Sequence, residues 1–103
     1  MSVINWSLAT VTASTDTTLL QDQVAEETAV FSVIAHNYSG VTINLEVKIM
    51  TTGDALKAYI FNDTLDDAKS LFIDSKLFLN EGDKVVVWSD QANVSFIASG
   101  DVA

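Results

Sequence analysis

From Val41 to Ile49 the chain reads Val-Thr-Ile-Asn-Leu-Glu-Val-Lys-Ile, apolar and polar residues in unbroken alternation. A period of two is the mark of a β-strand with one buried and one wet face. Val41, Ile43, Leu45, Val47 and Ile49 point one way, and Thr42, Asn44, Glu46 and Lys48 the other. On a helix the same residues would spread round the axis and carry charge into the core, so the strand reading wins. Related runs recur along the chain, and together they confine it to an all-β fold.

Trp6 to Val11 reads as a short strand, followed by an irregular connection over Ala13 to Thr18. Small residues and hydroxyls also suit an arm docked on a neighbouring subunit. Residues 1–23 are therefore read as an N-terminal strand or arm, and 24–103 as the body of one domain. Asp22 to Glu27 reads as a turn. Thr28 to Asn37 is rich in β-formers (Val30, Phe31, Val33 and Ile34), with apolar residues on both faces, as in a central or partner-covered strand. Asn37-Tyr38-Ser39-Gly40 supplies turn chemistry, predicting a hairpin into the Val41 to Met50 strand. Strands are expected at Leu56 to Phe61, Leu71 to Ile73, Lys76 to Leu79, Lys84 to Trp88 and Val94 to Ala98. Asn62 to Ser70 is polar and acidic, with room for one helical turn over Leu65 to Ala68. Short strands broken by turns such as Asn80-Glu81-Gly82-Asp83 predict a single antiparallel β-sandwich, jelly-roll-like, of about seven to eight short strands.

A chain of 103 residues can bury one core without staples. It has no cysteine, which removes disulfides, thiolate catalysis and cysteine-bound zinc together. No apolar run approaches the roughly 18 residues of a membrane span. The opening Met1-Ser2-Val3-Ile4-Asn5-Trp6 lacks the basic and apolar regions of a signal peptide, so the expectation is a mature chain made in a cytoplasm. Five lysines against fourteen carboxylates give a net charge of −9. With those lysines dispersed, binding to nucleic acid through its phosphates is disfavoured. The acidity fits solubility first, and complementarity to a basic partner second. Proline is absent, so edge strands must be protected by charge, by covering segments or by partner strands.

Candidate chemistry is sparse. His36, the single histidine, stands near a strand end with no nucleophile motif beside it and reads as structural. Asp63, Asp66 and Asp67 crowd one loop, but Leu65 and the missing glycine break the EF-hand pattern, leaving a solvated acidic loop and no expected metal. An acidic hydrolase using these aspartates is the weakest reading, since paired carboxylates need a cleft that the sequence does not indicate. Trp6, Tyr38, Tyr59 and Trp88 are the aromatics available for sugar stacking, but they come from separate elements. Aromatics more often fill a core or an interface. No enzyme and no cofactor is expected.

The order of signals from about residue 19 onward resembles a family of small β-sandwich virion proteins of tailed bacteriophages. The matching features are Val30 to Asn37 (an apolar strand ending in Asn), the alternating Val41 to Ile49, and the turn Leu79-Asn80-Glu81-Gly82-Asp83. Val85-Val86-Val87 and the closing Phe96-Ile97-Ala98-Ser99-Gly100 complete the pattern. Val24-Ala25-Glu26-Glu27-Thr28-Ala29 stands where the family has Val-Pro-Ala-Gly-Lys-Thr-Ala, without the proline or the Gly-Lys pair. The resemblance implies a non-enzymatic virion protein that acts as a homo-oligomer, often a trimer. It would be a capsid decoration (cement) protein on the major capsid protein, or else a tail, neck or fibre subunit. Trp6, Leu8, Phe31, Tyr38, Tyr59 and Phe61 are the expected interface residues. The alternative from another class is a carbohydrate-binding β-sandwich stacking sugars on Trp88, Tyr38 and Tyr59.

Overall fold

Among the described residues, eight strands form in chain order: β1 (Ser2–Leu8), β2 (Thr17–Gln21), β3 (Thr28–Asn37), β4 (Ile43–Met50), β5 (Leu56–Leu65), β6 (Ser70–Leu79), β7 (Lys84–Ser89) and β8 (Val94–Val102). The computed structural model describes residues 2–21 and 28–102, with side chains at 2–4, 31, 75–78 and 102 excepted. The turn expected over Asp22 to Glu27 lies outside the described residues. Two four-stranded antiparallel sheets result, ordered β1-β8-β3-β6 and β2-β7-β4-β5.

The pairing has a simple logic. First pairs with last, β1 with β8, then β2 with β7, β3 with β6 and β4 with β5. The chain is thus one long antiparallel ribbon rolled up, so that successive ribbon segments fall alternately in the two sheets. Contacts between β3 and β8 and between β4 and β7 close the roll. This is the jelly roll, a two-sheet solution that leaves few strand edges open.

The alternating strand behaves as its pattern demands. Ile43, Leu45, Val47 and Ile49 are buried, and they meet Val30, Val33 and Ala35 of β3 and Val94, Phe96 and Ala98 of β8 across the sandwich. Val85 and Val87 join them from β7. Val41, expected on the same face, lies outside the strand and is exposed.

Four further expectations are corrected. The hairpin predicted between Thr28–Asn37 and Val41–Met50 does not form, because β3 and β4 lie in different sheets and the segment between them crosses the sandwich. Asn37, fully buried, holds this crossing: its Nδ2 donates to Val41 O at 2.8 Å and Leu65 O at 3.0 Å, while its Oδ1 accepts from Ser39 N at 3.0 Å. The strand expected over Trp6 to Val11 starts and ends earlier, as β1. A second strand, β2, stands partly where an irregular connection was expected. Its consecutive Leu19 and Leu20 are both buried because the register with β7 shifts between Thr18 and Leu20. Such a bulge lets neighbouring residues face the core together. Finally, no helical turn forms over Leu65 to Ala68. Leu65 ends β5, and Ala68 adopts φ 62° in a turn where Lys69 N donates to Asp66 O at 3.2 Å.

Candidate functional site

The acidic loops turn out to hold the ends of the roll together. Asp67 Oδ1 accepts from Gly40 N at 3.0 Å and Asp66 Oδ1 from Thr42 Oγ1 at 3.2 Å, tying the β3–β4 crossing to the β5–β6 turn. Asp90 accepts from Asn44 N at 3.0 Å and from Asn44 Nδ2 at 3.1 Å. Asp83 closes the β6–β7 turn, accepting from Asn80 N at 3.2 Å and pairing with Lys57 Nζ at 2.8 Å. Among the described residues, no group of three or more His, Cys, Asp or Glu side chains could hold a metal ion. Asp63 Oδ1 accepts from Thr64 N at 2.7 Å.

The two outer faces differ in charge. On the β2-β7-β4-β5 sheet, Lys48 lies buried between Asp16 at 2.7 Å and Glu46 at 2.9 Å. Burial acts to lower its pKa, but the hydrogen bonds and charges of the two carboxylates outweigh it and hold the ammonium above its usual 10.5. Lys84 pairs with Asp54 on the same side. Trp88 stands opposite Glu46 and Tyr59 opposite Lys48, so two of the three aromatics considered for sugar stacking share this face.

The outer face of the β1-β8-β3-β6 sheet carries few charges among its described side chains: Asp74, and Asp101 one row beyond it opposite Ala29. One row across the four strands reads Ser7, Ile97, Ile34, Phe72. The row on one side is Ser95, His36, Ser70, and on the other Asn5, Ser99, Ser32, Asp74. His36 Nδ1 lies 2.8 Å from Ser70 Oγ, and its ring stacks on Tyr38 at 6.5 Å. Tyr38 in turn donates to Ala9 O at 2.8 Å.

The residues expected at interfaces scatter over the molecule. Trp6 and Leu8 of β1 and Phe61 of β5 are partly buried against the core, while Tyr38 and Tyr59 are about half exposed. Phe61 reaches the core beside Ile60 because the β4–β5 register shifts at this point. The Phe31 side chain lies outside the described residues. Phe72, 70 % exposed, was not picked out from the sequence. The available signal was Leu71-Phe72-Ile73 itself: three consecutive apolar residues in a strand cannot all face one core.

No family model and no curated protein matches this sequence. Among solved structures, the fold is similar to a chain in the crystal structure of the T13 IBDV viral particle, with TM-score 0.53, 10 % identity, 95 % of this chain covered and 30 % of that one. A structure of infectious bursal disease virus strain Gx matches with TM-score 0.48 and 8 % identity, covering 95 % of this chain and 30 % of that chain. A pentameric capsid protein isolated from metagenomic phage sequences matches with TM-score 0.45 and 20 % identity, covering 95 % and 60 %. The chain therefore spans under a third of the IBDV chains and about three fifths of the phage one. What the likeness to the T13 particle chain shows is a shared fold.

Proposed function

We propose that the chain is a structural subunit of a virion: an oligomeric capsid decoration protein seated on the major capsid protein, made in the host cytoplasm. The observation that carries this reading is the two-sheet fold itself, which is similar over 95 % of the chain, with TM-score 0.53, to a chain of a viral particle. Jelly rolls also serve lectins and cupins, and a fold alone does not choose between them. The surface supports the choice. The carboxylates of the acidic loops are engaged in fastening turns, and Tyr38, the third aromatic of the sugar-stacking set, is held on His36 away from Trp88 and Tyr59. The large hydrophobic side chains exposed among the described residues are Tyr38, Val41, Leu56, Tyr59, Phe72 and Ile97. Exposed apolar residues on a packed sandwich suit contact with other subunits.

Mass spectrometry of purified virions tests this. Hundreds of copies per particle are expected for a decoration protein. A handful would move the chain to a tail, neck or fibre, and no copies would overturn the virion reading.

A further inference from the structure

We propose that the outer face of the β1-β8-β3-β6 sheet is a two-fold contact between copies of this chain, with Phe72 of each copy seated in the hollow beside Ile34 and Ile97 of the other. The proposal rests on the virion reading only in that assembly supplies many copies side by side.

The first argument is charge. The chain carries −9, so two copies repel wherever their acidic surfaces meet. Of the described side chains in the three rows of this face, only Asp74 is a carboxylate. Here copies can approach within a screening length of about 8 Å with little repulsion. A basic partner would instead be drawn to the acidic loop ends, and the described side chains of these rows include no lysine to hold a polyanion. The opposite sheet is a poor rival, because contact there would cover the ion pairs around Lys48 and Lys84.

The second argument is shape. Phe72 is a knob, 70 % exposed on β6. A hollow of about 310 Å³ opens on the same face, lined by Ser7, Ile34, His36, Ser95 and Ile97 among others. Knob and hollow lie one to two strands apart, about 5 to 10 Å. A two-fold axis lying along the face therefore carries each knob onto the other copy's hollow. One patch holding both halves of a complementary pair is the condition for an isologous contact.

The third argument is size. Four strands about 4.8 Å apart, and some six residues along each, give roughly 400 Å² per copy. Stable interfaces need about 800 Å² per partner. The face therefore supports a weak contact that gains effect when neighbouring copies are already held close. A two-fold contact cannot itself close a trimer, so the strand edges stay free for other subunit contacts.

Sedimentation equilibrium from about 10 μM to 2 mM, at ionic strength near 0.15 M, tests this. The wild-type chain is expected to form dimers in the upper part of that range. Phe72→Asp, at an exposed position that leaves the core intact, should raise Kd roughly tenfold or more. Tyr59→Asp, on the other sheet, should leave it unchanged. A wild-type chain monomeric throughout, association indifferent to Phe72→Asp, or equal loss with Tyr59→Asp would each overturn the assignment. None of these outcomes bears on virion copy number, so the two readings fail separately.

Discussion

Replacing Asn37 by alanine and by aspartate separates a fold-defining hydrogen-bond node from ordinary packing. The side chain is fully buried and makes four bonds: two donated by Nδ2, to Val41 O and Leu65 O, and two accepted by Oδ1, from Ser39 N and from Ser39 Oγ at 2.7 Å. After truncation, the Ser39 hydroxyl, released from Oδ1, can turn its one proton to Val41 O at 3.1 Å, whereas Leu65 O loses this donor. At about 1 kcal/mol net per bond, Asn37→Ala should cost about 3–4 kcal/mol. That is a large part of the roughly 5–15 kcal/mol that holds a domain together. Asn37→Asp keeps the shape but turns a carboxylate oxygen toward two carbonyls, so at pH 7 its cost should exceed that of alanine. Protonation restores an O–H donor. The folded state therefore favours the neutral acid, and its pKa should rise above the usual value of about 3.9. A carboxyl that binds its proton more tightly when folded loses stability as pH rises between the unfolded and folded pKa values. The deficit of Asn37→Asp relative to wild type should accordingly shrink from pH 7 to pH 4, while that of Asn37→Ala should stay constant. Urea melts at both pH values, followed by fluorescence of Trp6 and Trp88, measure this. Variants within about 0.5 kcal/mol of wild type, or an aspartate deficit independent of pH, would refute the node.

Three other substitutions probe different parts of the sandwich. Lys48→Met strands Asp16 and Glu46, both partly exposed, and should cost about 1–2 kcal/mol at neutral pH. Because the Lys48 pKa is raised, its contribution is full below the unfolded value near 10.5 and fades as pH climbs through the folded one, so denaturant midpoints of variant and wild type should converge in strong alkali. Gly100→Ala would place a Cβ 2.1 Å from the Ala29 carbonyl oxygen and 3.1 Å from the Trp6 ring, and should cost about 3 kcal/mol or more by thermal melting. Phe96→Ala, at a position 2 % exposed, should lose about 3–5 kcal/mol by urea denaturation, unlike a truncation at Phe72.

The strand content was legible wherever one face is buried and the pattern is clean. The Val41 to Ile49 alternation placed β4, and Asn80-Glu81-Gly82-Asp83 placed the β6–β7 turn, where Gly82 has φ 81°. Bulges hid the rest. Leu19-Leu20 in β2 and Ile60-Phe61 in β5 break the period of two because the register shifts there, so consecutive residues meet one core. The candidate interface residues rest on surplus apolar strand faces and the N-terminal segment, and hydrophobicity alone does not separate Phe61, packed on the core, from Phe72, which is 70 % exposed.

Local sequence determines that this chain makes strands, that glycine or an acidic turn follows several of them, and that no thiol chemistry is available. Which strand lies beside which is a tertiary outcome. Asn37 looks like any turn residue until Leu65 arrives from the far end of β5 to accept its amide, and only then does the turn become a crossing between sheets. The same holds for the outer face of the β1-β8-β3-β6 sheet. Ile34, Phe72 and Ile97 are far apart in the chain, and only the antiparallel register of β8, β3 and β6 sets them in one row.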